Sequence, residues 1–231
     1  PSQMFNAIDS VPLTAIAFFM LTGELMTSAT ITDRLVALSR ALIGRIRGGL
    51  AQVNVLVSMF FAGMNGSVVA DTATVGALVL PAMKKAGYPA AFSAAVTGVS
   101  STIGGIIPPS IMMIVLANST EISIAALFAA GIIPGVLIGI VIMIINHYFA
   151  IKYNFERSDQ PFSIRRAGKE LYRSSFALLI PLVLVGSVMG GVASVVEAGA
   201  ITAMVALFTG VFVYRTIKWK DCTGAFRRAF R

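Results

Sequence analysis

Two breaks interrupt the long apolar sequence of this chain, and they constrain its fold more than any other feature. The first is the glycine-rich run 63–67 (GMNGS), and the second is the run 104–110 (GGIIPPS). Each break frees backbone N–H and C=O groups, which lipid cannot hydrogen-bond. Such backbone is tolerated at membrane depth only where it is buried in protein or lines a wet cavity. The two breaks together therefore predict an internal site for ions or polar ligands.

The composition indicates an integral membrane protein. Hydrophobic residues make up 57% of the chain and charged residues only 12%, whereas a soluble domain carries roughly 25% charged residues. The formal net charge of +8 could suggest nucleic acid, but the charged residues lie between the apolar runs and report membrane topology instead. We therefore expect no nucleic-acid partner. The single histidine, His147, has no cysteine or carboxylate at metal-ligand spacing.

The apolar runs predict an all-α fold with five membrane crossings and one re-entrant hairpin. A crossing needs about 20 apolar residues. The legs 50–63 and 68–83 are each too short to cross, so we expect a hairpin whose tip, the first break, lies inside the protein. Residues 31–47 predict an interfacial amphipathic helix, and the polar run 152–173 predicts a loop. The predicted crossings are 8–26, 90–117 with the second break inside it, 124–150, 174–189 and 197–214.

The Lys and Arg residues assign the two membrane faces. All 18 lie in segments 27–49, 84–89, 152–173 and 215–231. The predicted crossings put these segments on one face, which the positive-inside rule makes cytoplasmic. The hairpin therefore enters from the cytoplasm and returns to it. An odd number of crossings places loosely similar pieces near the two ends, at 3–5 and 226–230, on opposite faces, which favours an inverted repeat.

Several motifs occur together in one known family. The tightest are residues 13–26, 48–50, 63–88 and 106–110, and residues 127–135 and 197–198 also fit. In these motifs the chain resembles the large membrane subunit of tripartite ATP-independent periplasmic (TRAP) transporters. A 26-residue motif followed by a Pro-Pro-Ser break at the right distance is a specific signal. The chain departs from the family pattern at Asn65, where many members have Ser, and at 194–198, where SVVEA replaces a more usual TPTEA.

The resemblance implies a multi-pass protein of the bacterial inner membrane that imports organic acid anions, such as C4-dicarboxylates or sialic acid, with sodium. It also implies inverted repeats, an elevator-type movement, a periplasmic substrate-binding protein and a small membrane subunit. We expect an early helix and a second hairpin outside this chain. The resemblance then divides the chain into 1–49 (scaffold helix and amphipathic arm), 50–117 (transport core), 118–173 (transmembrane helix and basic loop) and 174–231 (two transmembrane helices and the start of the second repeat).

The two breaks supply the candidate sodium ligands. Na+ needs about five or six oxygen atoms, and backbone carbonyls provide them without burying a formal charge. In the alternative interpretation, the glycines only permit close packing and the hydroxyl groups bond back to their own helix. The candidates are Asn65, Gly66 and Ser67 at the hairpin tip, and Ser100, Thr102, Gly104, Gly105 and Pro108 at the second break.

Charged and polar residues near the breaks suggest further roles. Asp71 lies one helical turn past the tip and is a structural or coupling candidate: a helix cap or hydrogen-bond anchor, a direct ion ligand, or a proton carrier. Pro109 and Ser110 open a half-helix whose N-terminus would meet a substrate carboxylate, with Ser110 as its cap. Glu24 and Glu197 lie near helix ends, and we expect both to be interfacial.

Four other functions are compatible with part of this sequence pattern. A dicarboxylate/sodium symporter that works without a binding protein uses the same kind of paired hairpins. An intramembrane hydrolase would use Ser67 or Ser110 as its nucleophile, but neither His147 nor a second Asp is placed to act as its base. An ion channel would conduct without saturation or sodium dependence, and a membrane scaffold would have no need of broken helices.

Overall fold

The computed structural model describes residues 11–155, 163–217 and 219–229, and within these residues every regular element is helical. Of the two pieces on which the inverted repeat was predicted, 3–5 lies outside the described residues and 226–230 lies within them except for its last residue. The α-helices are α1 (Val11–Ser28), α2 (Ile31–Ile43), α3 (Gly49–Asn65), α4 (Val68–Lys85), α5 (Ala90–Ser101), α6 (Ile111–Thr120), α7 (Ile124–Lys152), α8 (Ile164–Met189), α9 (Val195–Phe208) and α10 (Trp219–Ala229).

In the part of the chain that the structure describes, three helices are long and apolar enough to cross a membrane: α7, α8, and α9 with the π-helical turn that extends it to Val213. A fourth span results if α1 and α2, which meet at an angle of 71°, are counted together. The outer face of α7 exposes Ile133, Leu137 and Ile144 at helical spacing, as a helix that contacts lipid does. The crossings predicted at 124–150, 174–189 and 197–214 are therefore confirmed as long apolar helices.

The prediction of a loop over 152–173 is wrong in its second half. α8 begins at Ile164, and the Ser163 hydroxyl caps it by accepting a hydrogen bond from Arg166 N at 3.4 Å. The basic residues of this segment indicate that it leaves the membrane, but they are also good helix formers. The charged segment thus extends the helix beyond the apolar span.

The amphipathic helix predicted over 31–47 ends earlier, at Ile43. Other helices of the protein, not lipid, cover its apolar stripe. Ile31, Leu35 and Leu38 are fully buried, because α2 packs against α3 and α8. The Ser174 hydroxyl of α8 also donates to the Arg34 carbonyl at 3.3 Å. An apolar stripe has the same periodicity whether protein or lipid covers it. The periodicity alone therefore could not predict which of the two covers α2.

α3 and α4 form a helical hairpin, which packs against α5. An aromatic cluster fastens the base of the hairpin to the end of α7. In it the ring of Tyr88 lies 4.6 Å from that of Phe155, and Phe92 contacts both Phe155 at 5.1 Å and Phe149 at 6.1 Å. α1 packs along α9, where Gly199 faces the rings of α1. The hairpin, α5 and α7 form one packed group and α1, α8 and α9 form another, and both groups contribute residues to one buried hydrophobic core.

Candidate functional site

The hairpin tip is a two-residue break between α3 and α4. Gly66 has a left-handed backbone with φ of 61°, and Ser67 is extended. The Ser67 hydroxyl caps α4 by accepting from Ala70 N at 3.3 Å, while the Asn65 side-chain oxygen accepts from Ser67 N at 3.2 Å. The tip is thus narrower than predicted, because α3 remains helical through Asn65.

The second break is an irregular segment between α5 and α6. α5 ends at Ser101, a 3₁₀ turn covers Thr102–Gly105, and Ser110 opens α6. The Ser110 hydroxyl donates to the Gly105 carbonyl at 2.8 Å and accepts from Met113 N at 3.3 Å. The predicted cap of the new half-helix is therefore confirmed.

The structure brings the two breaks into direct contact. Ile111 N donates to the Gly66 carbonyl at 3.2 Å. A Cβ atom at Gly66 would lie 2.5 Å from the Pro109 carbonyl oxygen, and one at Gly104 would lie 3.8 Å from the Ser67 carbonyl oxygen. Main-chain atoms of the tip and of the second break therefore lie directly against one another.

Glycines on α7 allow the second break to pack closely against this helix. A Cβ atom at Gly131 would overlap the Ile106 carbonyl oxygen, and one at Gly135 would overlap the Ile107 side chain. Their four-residue spacing is the small-xxx-small pattern that lets helices and backbone approach closely in membranes. Sequence reasoning did not assign them to the site, although this spacing was the available signal.

We expect Gly131→Ala to displace the break from α7. The added methyl group meets a backbone oxygen, which cannot move as a flexible side chain can, and overpacking costs about 1–3 kcal/mol. The thermal midpoint of the purified complete permease should fall. Gly186→Ala on α8 is the matched control, because nothing lies within 4 Å of its Cβ position and Ala is favoured in helices by up to about 1 kcal/mol. An equal thermal midpoint in the two variants would contradict the close packing of the second break against Gly131.

Asp71 lies beneath the contact between the breaks. It is fully buried, its Cβ is 3.8 Å from the Cβ position of Gly104, and the hydroxyls of Ser58 and Ser101 face it. Neither carboxylate oxygen has a hydrogen-bond partner of acceptable geometry, and neither does the buried Ser101 hydroxyl. Ser67, not Asp71, caps α4, because Asp71 is already the fourth residue of the helix. The cap role considered for Asp71 is therefore wrong, whereas the hydrogen-bond anchor, the ion ligand and the proton carrier stay predictions.

The hydroxyl candidates of α5 do not reach the tip. Thr102 is exposed, and its hydroxyl bonds back to the Val99 carbonyl at 2.7 Å. Ser100 is fully buried and lies 3.3 Å from the Ser58 hydroxyl, with the Asn54 side-chain oxygen at 3.4 Å. Asn54 in turn donates to the Thr97 hydroxyl at 2.7 Å. Ser100 thus belongs to a buried polar network that joins the hairpin to α5, which the sequence did not reveal.

Glu24 was expected at the membrane interface, but the structure places it beside the hairpin tip. It is half-buried and lines a small cavity together with Asn65 and Ser67. Glu197 instead forms a capping box with Ser194: its carboxylate accepts from Ser194 N at 2.8 Å, and its own N–H donates to the Ser194 hydroxyl at 3.3 Å. Two acidic residues with similar sequence settings therefore have different environments.

The fold and the site define a class of protein: an all-helical protein with membrane-length apolar helices and two interrupted helices that meet in its interior. Comparison with known proteins then identifies the family. The model of the DctM component of tripartite ATP-independent periplasmic transporters matches residues 1–231. The chain belongs to this family, the large permease subunits of TRAP transporters, as its motifs predicted. The family consists of transporter permeases, which supports a function other than catalysis.

Curated relatives cover nearly all of this chain. The sialic acid TRAP transporter large permease protein of Vibrio cholerae is 37% identical over 215 residues, which are 93% of this chain and 50% of that protein. The C4-dicarboxylate TRAP transporter large permease protein of Pseudomonas aeruginosa is 35% identical over 220 residues, which are 95% of this chain and 51% of that protein. The 2,3-diketo-L-gulonate protein of Escherichia coli is 38% identical over 212 residues (92% and 50%). The chain therefore spans about half the length of the curated relatives it matches.

Proposed function

We propose that this chain is part of a sodium-coupled permease of the bacterial inner membrane that imports organic acid anions delivered by a periplasmic binding protein. The observation that carries the sodium coupling is the buried Asp71 carboxyl group, which faces the hydroxyls of Ser58 and Ser101 but no cationic side chain of the described residues. Burying a charge without an opposite charge is costly. A bound cation nearby would remove that cost, and main-chain oxygens of the two breaks would give it ligands.

The residues fit a sodium ion better than a transition metal. The oxygens available are main-chain carbonyls and hydroxyls, which are hard ligands without formal charge. Asn65, Gly66, Gly104, Gly105 and Pro108 would contribute carbonyl oxygens, and Ser67 would contribute its own oxygens from the tip. The ion supplies positive charge, and Asp71 balances that charge from beneath the site. Ser100 and Thr102 contribute no ligand in this arrangement, because their hydroxyls point elsewhere.

A substrate carboxylate would bind at the N-terminus of α6, which Pro109 and Ser110 open. In the described structure two first-turn donors are already used: Ile111 N bonds the Gly66 carbonyl, and Met113 N bonds the Ser110 hydroxyl. Met112 N remains for an anion. Binding of substrate here would therefore compete with the contact between the breaks, and this competition is one route by which sodium and substrate could influence each other.

The two packed groups are the basis for proposing an elevator-type movement. The hairpin, α5 and α7 are held together by the aromatic cluster and by the buried Asn54–Thr97 hydrogen bond. α2 joins the groups through residues 44–49, where Gly48 has a left-handed backbone with φ of 74°. Movement of the first group relative to α1, α8 and α9 would carry the site across the membrane.

The test is uptake by proteoliposomes that contain the complete permease, its small membrane subunit and its binding protein. We expect accumulation of a labelled organic acid only when an inward sodium gradient and the binding protein are both present. Replacing sodium by potassium, or omitting the binding protein, should each reduce the initial rate to the background of empty vesicles. Sodium-independent uptake would overturn the coupling, whereas sodium-driven uptake without the binding protein would favour a dicarboxylate/sodium symporter instead.

The hydrolase alternative gains no support from the geometry. The hydroxyl of Ser110 donates its proton to the Gly105 carbonyl, and the oxygen of Ser67 accepts the hydrogen bond that caps α4. Both side chains therefore hold helix ends, a role that needs no general base.

A further inference from the structure

A cavity of about 90 Å³ lies beside the hairpin tip, between α1, α4 and the start of α6. Its polar lining comes from Glu24 and Thr27 of α1, Asn65 and Ser67 of the tip, and Thr74 of α4. Asp71 is not among its lining residues. The cavity and the contact between the two breaks are therefore neighbouring places at the same hairpin tip, with Ser67 and Ile111 common to both.

Gly23 sets the position of Glu24 in this cavity. A Cβ atom at Gly23 would lie 2.7 Å from the Asn65 Cβ, so only glycine lets α1 approach the tip this closely. The following residue, Glu24, then faces the cavity, and the Thr27 hydroxyl donates to the Gly23 carbonyl at 2.9 Å one turn later. The close approach of two helices thus places a carboxylate next to the polar end of the hairpin.

The chemistry of the lining selects its ligand. A carboxylate together with hydroxyl and amide oxygens attracts a cation and repels an organic acid anion. The volume is large enough to hold a few water molecules, which suits a small monovalent cation that keeps part of its hydration shell. We propose that this cavity is a vestibule for sodium, in which Glu24 concentrates the ion beside the tip. This inference rests on the proposed sodium coupling.

The first test changes the charge of the vestibule. Glu24→Gln in the complete transporter should raise the sodium concentration for half-maximal uptake about three- to ten-fold, because an attractive charge is lost in a poorly screened place. The maximal rate at saturating sodium should stay within about two-fold, since the coordinating site itself is unchanged. Glu24→Asp, which keeps the charge, should restore most of the sodium affinity.

The second test fills the cavity without changing its charge. Thr74→Leu places extra volume in the vestibule and should also raise the half-saturating sodium concentration. Thr72→Leu is the matched control, because Thr72 lies on the exposed face of the same helix, where its hydroxyl bonds the Val68 carbonyl at 2.8 Å. This pair keeps the test decisive if Glu24→Gln fails to fold.

The outcomes separate the vestibule from the sodium coupling. Uptake by the unmodified transporter that ignores sodium overturns the proposed function. Sodium-dependent uptake with unchanged half-saturation in Glu24→Gln, or in the Thr74→Leu and Thr72→Leu pair where the first variant does not fold, overturns the vestibule alone. A loss of maximal rate without any change in sodium affinity also overturns it, since that pattern indicates a structural role for Glu24.

Discussion

Replacing Asp71 by Asn should abolish sodium-driven uptake and, at the same time, stabilise the sodium-free protein. Asn has nearly the same shape but no charge, so it removes the counter-charge of the proposed ion. The initial rate should fall at least about ten-fold, which corresponds to about 1.4 kcal/mol. Burying an unpaired charge costs more than burying a neutral amide, so the thermal midpoint of the purified complete permease without sodium should rise by a few degrees.

Thermal unfolding in sodium and in choline buffers distinguishes this role from a structural one. The unmodified protein should gain stability from sodium by mass action, whereas Asp71→Asn should have the same midpoint in both buffers. Asp33→Asn is a suitable control, because Asp33 is an exposed carboxylate in the first turn of α2. A midpoint for Asp71→Asn that falls in both buffers, with the response to sodium intact, would show that Asp71 holds the hairpin together and does not balance an ion.

Much of the fold could be predicted because apolar length and helix-breaking residues coincide in this chain. The three long helices follow directly from hydropathy, and the cap at Ser110 follows from a hydroxyl residue placed directly after two prolines. What covers each apolar face could not be predicted. The buried stripe of α2, with Leu35 and Leu38, has the same periodicity as a helix on a membrane surface. Only the packing of α8 against it decides between the two.

The positions of the backbone breaks at the candidate site could be predicted better than the directions of its side chains. Glycine and proline fix where the chain must break, so the contact between the tip and the second break could be expected. The direction of a side chain depends on where its helix begins. Asp71 faces the protein interior because α4 begins at Val68, and Thr102 faces outward because α5 ends in a 3₁₀ turn. Glu24 lies beside the tip because Gly23 lets α1 approach it closely. The local sequence carries no signal for this tertiary contact.

Gly66→Ala should have an effect of similar size, because it separates the two breaks. The left-handed backbone at this position, with φ of 61°, costs a non-glycine residue about 1–2 kcal/mol. The methyl group would also lie 2.5 Å from the Pro109 carbonyl oxygen and 3.2 Å from Ile111 N. It would therefore push apart the tip and the second break, which supply the proposed ligands of the ion. We expect uptake to fall at least about ten-fold and the stabilisation by sodium to disappear.

Gly87→Ala distinguishes the effect of backbone strain from the effect of the collision with Pro109. Gly87 has a similar left-handed backbone, with φ of 79°, but nothing lies within 4 Å of its Cβ position. This variant carries the backbone strain without the collision. It should lower the thermal midpoint by a few degrees while the uptake rate and the response to sodium stay within about two-fold of the unmodified transporter. If Gly66→Ala behaves like Gly87→Ala, strain alone accounts for its effect, and the close contact of tip and break has no part in binding the cation.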